Sequence, residues 1–249
     1  RTSRMHPLDT RRRQLLAAIG GVGALATGSW IERQLSGSPQ FTHYTYAATP
    51  EDTGEEVLEV AWYATYNGQL TITQGTGDEA NASKVLDPDA DPRYVSDATG
   101  PVVSLSNVLP GDSGRLVVGL RASRDVRVDL TGAVRTSESG QTEPESSVDS
   151  SADGELGETI RVDLWHDTGP LGVGGCDGER GLGDEPIDEG SLVDVIRGLE
   201  PPRTIVDCLS ADARRCIGFD WSFPTSASNE NQTDGVEFDL EFRATSCEK

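Results

Sequence analysis

Few residues in this chain have the types and spacing that could do chemistry. Its three histidines are His6, His43 and His166, and no His-Glu-x-x-His pair occurs to seat a catalytic zinc. Two histidines and a carboxylate, His43, His166 and Asp167, are the one set that could ligate a transition metal. His166 beside Trp165 otherwise reads as a strand residue on a solvent face. No Gly-x-Ser-x-Gly elbow is present, and no catalytic constellation emerges. Asp87, Asp89 and Asp91 alternate carboxylates at a spacing that suits a hard cation such as calcium, and Asp177, Asp184, Glu185 and Asp188 form a second acidic loop. Pro88 and Pro92 interrupt the first loop, so neither is an EF-hand. Apart from a possible calcium there, no cofactor is expected.

Cys176, Cys208, Cys216 and Cys247 lack the close pairs of a zinc site and read as two disulfides of an exported protein. Four cysteines allow three pairings, which remain open. We expect Cys208–Cys216 as a local loop and Cys176–Cys247 as a long-range tie. Asn81-Ala82-Ser83 and Asn231-Gln232-Thr233 are glycosylation sequons, with Asn81 the better acceptor because it lies in a loop.

The elements that must position these residues are strands. Ile217, Phe219, Trp221 and Phe223 alternate with small or polar residues, and Val236, Phe238, Leu240 and Phe242 repeat the alternation after a polar connection. We expect an antiparallel hairpin from the two, ended at Pro224 and flanked by Cys216 and Cys247. Val57–Tyr66 and Leu70–Thr73 bracket an Asn67-Gly68 hairpin turn. Leu109-Pro110-Gly111-Asp112 suits a type II turn, leading into strands at Leu116–Leu120 and Val126–Leu130. Val162–Asp167 is a further strand. Ser191 caps a short helix through Leu199, and Gly172–Gly190 reads as irregular. Thr136–Gly154 has one strongly apolar residue, Val148, so it is expected to be a disordered acidic loop.

Together these predict an all-β chain: a jelly-roll-like antiparallel β-sandwich with one or two short helices and long acidic loops. Residues 31–249 would form that single domain. Residues 1–30 read as an export signal or N-terminal anchor: Arg11-Arg12-Arg13 resembles a twin-arginine motif before an apolar run from Leu15 to Ala26, too short to span a bilayer.

Acidic residues outnumber basic ones 42 to 21, for a formal charge of -21. Lys84 and Lys249 are its lysines; the remaining cations are arginines. A surface so charged repels itself in dilute buffer and is screened by concentrated salt, which points to a halophile, an archaeon by expectation. It also argues against nucleic acid as a partner.

Three stretches carry a resemblance. Gly218-Phe219-x-Trp221-x-x-Pro224, Asn229-Glu230-x-Gln232-x-Asp234, then Phe238-x-Leu240-x-Phe242 and Cys247 resemble the C-terminal signature of the TasA/camelysin family. The Leu109–Asp112 turn and the Val162–Asp167 strand are similar as well, so the likeness spans roughly residues 100 to 247. It implies an exported, non-enzymatic cell-surface or matrix β-sandwich subunit with a SipW-type signal. Such subunits self-associate into fibres when an N-terminal strand of one completes the sheet of the next. The donor here would be residues 27–48, in particular Gln40–Ala48 with Phe41, His43, Tyr44 and Tyr46. The alternative implied by the resemblance is a secreted camelysin-like metallopeptidase.

Overall fold

Alternating apolar residues give these strands one wet and one dry face, and two sheets bury their dry faces against each other. The computed structural model describes residues 45–48, 57–73, 86, 94–96, 103–138, 141–150, 153–172, 175–231 and 233–247. These lie in one compact unit, Phe41–Lys249. The export signal expected at residues 1–30 lies outside them.

The strands are β1 (Thr45–Ala48), β2 (Leu58–Tyr66), β3 (Gln69–Thr73), β4 (Val103–Ser106), β5 (Ser113–Ala122), β6 (Val126–Glu138), β7 (Arg161–Asp167), β8 (Glu185–Ser191), β9 (Arg203–Leu209), β10 (Arg214–Ser222) and β11 (Asp234–Ser246). Among the described residues three short helices join them: α1 (Glu143–Ser146), α2 (Leu156–Thr159) and α3 (Leu192–Arg197). One sheet runs β1-β11-β6-β9, with β4 also on β11; the other runs β3-β2-β5-β10-β7-β8. All pairings are antiparallel except β1 with β11. The chain is therefore an all-β sandwich, as its alternation predicts.

Three expectations are corrected. The stretches 216–223 and 236–243 do not form a hairpin. β10 sits in the middle of the six-stranded sheet between β5 and β7, whereas β11 belongs to the other sheet beside β6. Both strands are apolar on one face only, and the 13-pair register with β6 satisfies the ladder of β11 without β10. The two meet face to face instead: Phe219 stacks on Phe238 across the interior, ring centroids 5.0 Å apart.

The acidic stretch 136–154 is not simply a disordered loop. β6 continues to Glu138, and α1 follows with Thr142 as its cap. Glu145, fully buried, accepts from the Thr142 backbone N–H at 3.0 Å, the Thr233 N–H at 3.1 Å and the Thr233 hydroxyl at 2.7 Å. One carboxylate thus anchors the segment to the β10–β11 connection, in place of the apolar residues it lacks. The expected irregular run to Gly190 likewise contains β8, an edge strand against β7.

The two turns read from sequence are present. Asn67 and Gly68 both have positive φ, as a tight hairpin needs. In the second turn the Asp112 N–H donates to the Leu109 carbonyl at 2.8 Å, and Gly111 has φ +99°. Asp112 then ties the turns together, accepting from the Tyr66 hydroxyl, from the Asn67 side-chain amide at 2.9 Å and from the Leu109 N–H at 2.7 Å.

Candidate functional site

Two regions gather the polar and strand-pairing groups: the outer face of the six-stranded sheet, and the outer edge of β11.

On the first, odd-numbered residues of β7 point away from the core. Trp165 lies flat over Gly218 of β10, where any Cβ would collide with the indole ring. Beside it Arg115 of β5 makes a two-pronged ion pair with Asp220 of β10, at 2.6 and 2.9 Å, and reaches Glu179 at 2.8 Å. Arg180 pairs with Asp163. Glu179 and Arg180 belong to the loop after β7, which folds back over this face.

Asp167 holds that loop. Its carboxylate accepts the backbone N–H of Cys176 at 2.9 Å and of Gly178 at 2.7 Å. Burial pushes the Asp167 carboxyl up to about 6 against the opposing pull of those two donors. Cys176 is then bonded to Cys216 of β10. Asp184 braces the next turn, accepting from the backbone of Thr168 at 2.8 Å, Gly169 at 2.9 Å and Gly181 at 2.8 Å.

The disulfides are Cys176–Cys216 and Cys208–Cys247, which corrects the expected pairing. Cys208 lies on β9 in one sheet and Cys216 on β10 in the other, so closeness in sequence does not bring them together. Cys176–Cys216 is buried beneath the loop, with Ala61, Tyr63, Leu86 and Val117 as an apolar lining. Cys208–Cys247 ties the end of β11 to exposed β9. Two such cystines are compatible with an extracellular protein. Among the described residues no helix is long and apolar enough to cross a membrane.

The metal trio does not assemble. His43 lies outside the described residues. Asp167 faces outward into the loop, whereas its neighbour His166 has the parity of Val162 and Leu164, on the core side. Half-buried there, His166 has its pKa lowered, first by burial. The expected solvent-face position is thus corrected. Among the described residues no three His, Cys, Asp or Glu side chains cluster as metal ligands. Asp87, Asp89 and Asp91, the calcium candidates, lie outside the described residues. In the second acidic loop Asp184 is engaged by backbone amides, and Asp188 meets Arg203 at 3.3 Å. Asn81 is likewise not described. Asn231 is 6% exposed in a turn over α1, which withdraws it as an acceptor of glycan in the folded chain.

Of the donor-strand residues, Phe41, His43 and Tyr44 lie outside the described residues, and Tyr46 belongs to β1. β1 pairs in parallel with the chain's own β11, Tyr46 opposite Glu241. The outer edge of β11 is thereby shared: β4 takes Gly235–Phe238 and β1 takes Leu240–Arg243.

Sequence reading missed the buried carboxylates that hold loops by their backbone, namely Glu145, Asp167 and Asp234. Asp234 accepts from the N–H of Glu155 at 2.6 Å and of Leu156 at 3.1 Å, fixing the start of α2. Thr142-x-x-Glu145 is a capping box, the one signal that could have exposed the first of them. Comparison with family models, with curated proteins and with solved structures finds no match to this chain.

Proposed function

We propose that this chain is an exported, non-enzymatic subunit of a cell surface or extracellular matrix in a salt-rich setting, and that copies associate by β-strand addition. The reading rests on the resemblance to the TasA/camelysin pattern and on one observation above all. The segment 45–48 is held by a four-residue parallel pairing with Leu240–Arg243 at one edge of β11, next to the β4 pairing with Gly235–Phe238. Backbone hydrogen bonds carry little identity, so that edge accepts the same segment from its own chain or from another copy. Exchange of an identical element is a low-cost route from closed monomer to assembly. The acidic surface keeps unassembled chains apart until salt screens it.

The test pairs Tyr46→Cys with Glu241→Cys, which face each other in the register of β1 on β11. In fibres seen by negative-stain microscopy, the new cystine is expected between chains; in monomer fractions, within one. Deleting 27–48 should abolish the fibres. Fibres that persist after the deletion would overturn the reading.

A further inference from the structure

Asn67 is the one asparagine of the chain that glycine follows. The pair makes the β2–β3 turn, both residues exposed, Asn67 at φ +48° and Gly68 at φ +76°. A Cβ built on Gly68 meets nothing within 4 Å, so the turn stands open to water. Gly68 has no side chain to crowd its own main-chain nitrogen. That nitrogen is one five-membered ring closure away from the carbonyl carbon of the Asn67 side chain, and the amide there is a leaving group.

The fold holds this amide at both ends. Asn67 Oδ1 accepts from the Ser113 N–H at 2.9 Å, and Nδ2 donates to Asp112 Oδ1 at 2.9 Å. Ring closure swings the side chain onto Gly68 and breaks both bonds, so the closed turn is protected. The other Asp112 oxygen, Oδ2, accepts from the Tyr66 hydroxyl and the Leu109 N–H. Tyr66 in turn lies 5.7 Å from buried Trp221, so the clamp runs from the exposed turn to the core.

We propose that Asn67 is a spontaneous deamidation site gated by Asp112, and that its modification releases the β2–β3 turn irreversibly. When the turn opens, the Gly68 nitrogen attacks Asn67 Cγ. A C–N bond forms, the Cγ–Nδ2 bond breaks, and ammonia leaves with the proton given up by the Gly68 nitrogen. Water then opens the cyclic imide, adding hydroxyl to one carbonyl carbon and hydrogen to the nitrogen, which leaves aspartate or isoaspartate. The new carboxylate still accepts from Ser113 but has no proton to donate to Asp112. Two like charges then stand where a donor met an acceptor. Among the described residues β3 is an edge strand paired with β2 alone, so a turn that fails to reclose loosens it. The device is separate from strand addition and does not use β1.

Peptide mass spectrometry of the full chain, incubated at mildly alkaline pH in molar NaCl, reads the reaction. Folded wild type is expected to convert at Asn67, at least about tenfold more slowly than the same chain in guanidinium. Asp112→Ala should speed the folded reaction about tenfold and leave the denatured rate unchanged. Asn67→Asp makes the product directly and should raise amide exchange across Gln69–Thr73 while sparing β10. Adding Asp112→Asn should restore wild-type exchange. Its amide nitrogen, at the Oδ1 position, donates to the new carboxylate, and its oxygen keeps Tyr66 and Leu109. This pair of variants decides the matter even where Asp112→Ala unfolds. A folded chain that converts as fast as the denatured one, or not at all, would overturn the proposal. So would an unchanged rate in folded Asp112→Ala, or Asn67→Asp exchanging as wild type does.

Discussion

Phe219 and Phe238 stack at 5.0 Å with their rings inclined by 29°, each from a different sheet. This contact joins the two strands that the sequence pattern would pair edge to edge. It lies in the shared core with Trp221, Phe242 and Leu240, all buried. Phe238→Ala should therefore cost about 3–5 kcal/mol, since the cavity opens between two sheets that cannot collapse independently. Urea unfolding midpoints would measure it; a loss below about 1 kcal/mol would mean the sheets are not packed through this ring.

The example also shows what the sequence can and cannot carry. Alternation along 217–223 and 236–242 names a buried face, and both faces are buried as read. It does not name the neighbouring strand, because a ladder uses backbone groups common to every residue. For the same reason Cys208 and Cys216 looked like partners while sitting on different sheets. β8 escaped because Glu185-Pro186-Ile187-Asp188-Glu189 has the composition of a loop, which an edge strand tolerates. The 136–154 segment escaped because composition averages hide a single buried anchor, Glu145. Of the candidate site, the turn at Leu109–Asp112 and the β1 segment were legible, but the loop latched by Asp167 was not.

Gly218 sits beneath the Trp165 indole with no room for a methyl group. The site is in the interior of β10, where glycine otherwise weakens a strand. Gly218→Ala should destabilise by about 1–3 kcal/mol through overpacking, despite its better strand propensity. Gly218→Ala combined with Trp165→Phe should recover part of the loss, because the smaller ring vacates the collision. Thermal melts of the two variants decide it: equal loss in both would rule out the steric cause.

Cys176 and Cys216 are 5% and 0% exposed, whereas Cys208 stands in solvent on β9. Thiol–disulfide exchange requires access of the attacking thiolate to sulfur. Under a mild reductant without denaturant, Cys208 and Cys247 should be alkylated first, and Cys176 and Cys216 only after unfolding. Peptide mapping of the native chain should return Cys176–Cys216 and Cys208–Cys247. Simultaneous labelling of all four would contradict the burial of the first pair.

Asp234 offers a pH test with a definite sign. Burial is the main cause that lifts its carboxyl to about 6, with Glu155 and Glu145 adding like-charge repulsion and the two backbone donors opposing it. A carboxyl raised in the folded state binds its proton more tightly there than in the unfolded chain. Its stabilising contribution is thus complete below the ordinary carboxylate value near 4 and is lost as pH rises through about 6. Asp167, also raised to about 6 chiefly by burial, acts in the same direction. Unfolding free energy at fixed salt should fall between pH 4 and 7. In Asp234→Asn the amide oxygen still accepts from Glu155 and Leu156, and the neutral side chain removes the charge that Glu155 and Glu145 repel. That variant should lose on the order of 1–2 kcal/mol of the pH dependence and be no less stable than wild type at pH 7. Urea titrations at four or five pH values would show it. An undiminished slope in the variant would mean that Asp234 is ionised and content at its position, and that the dependence arises elsewhere.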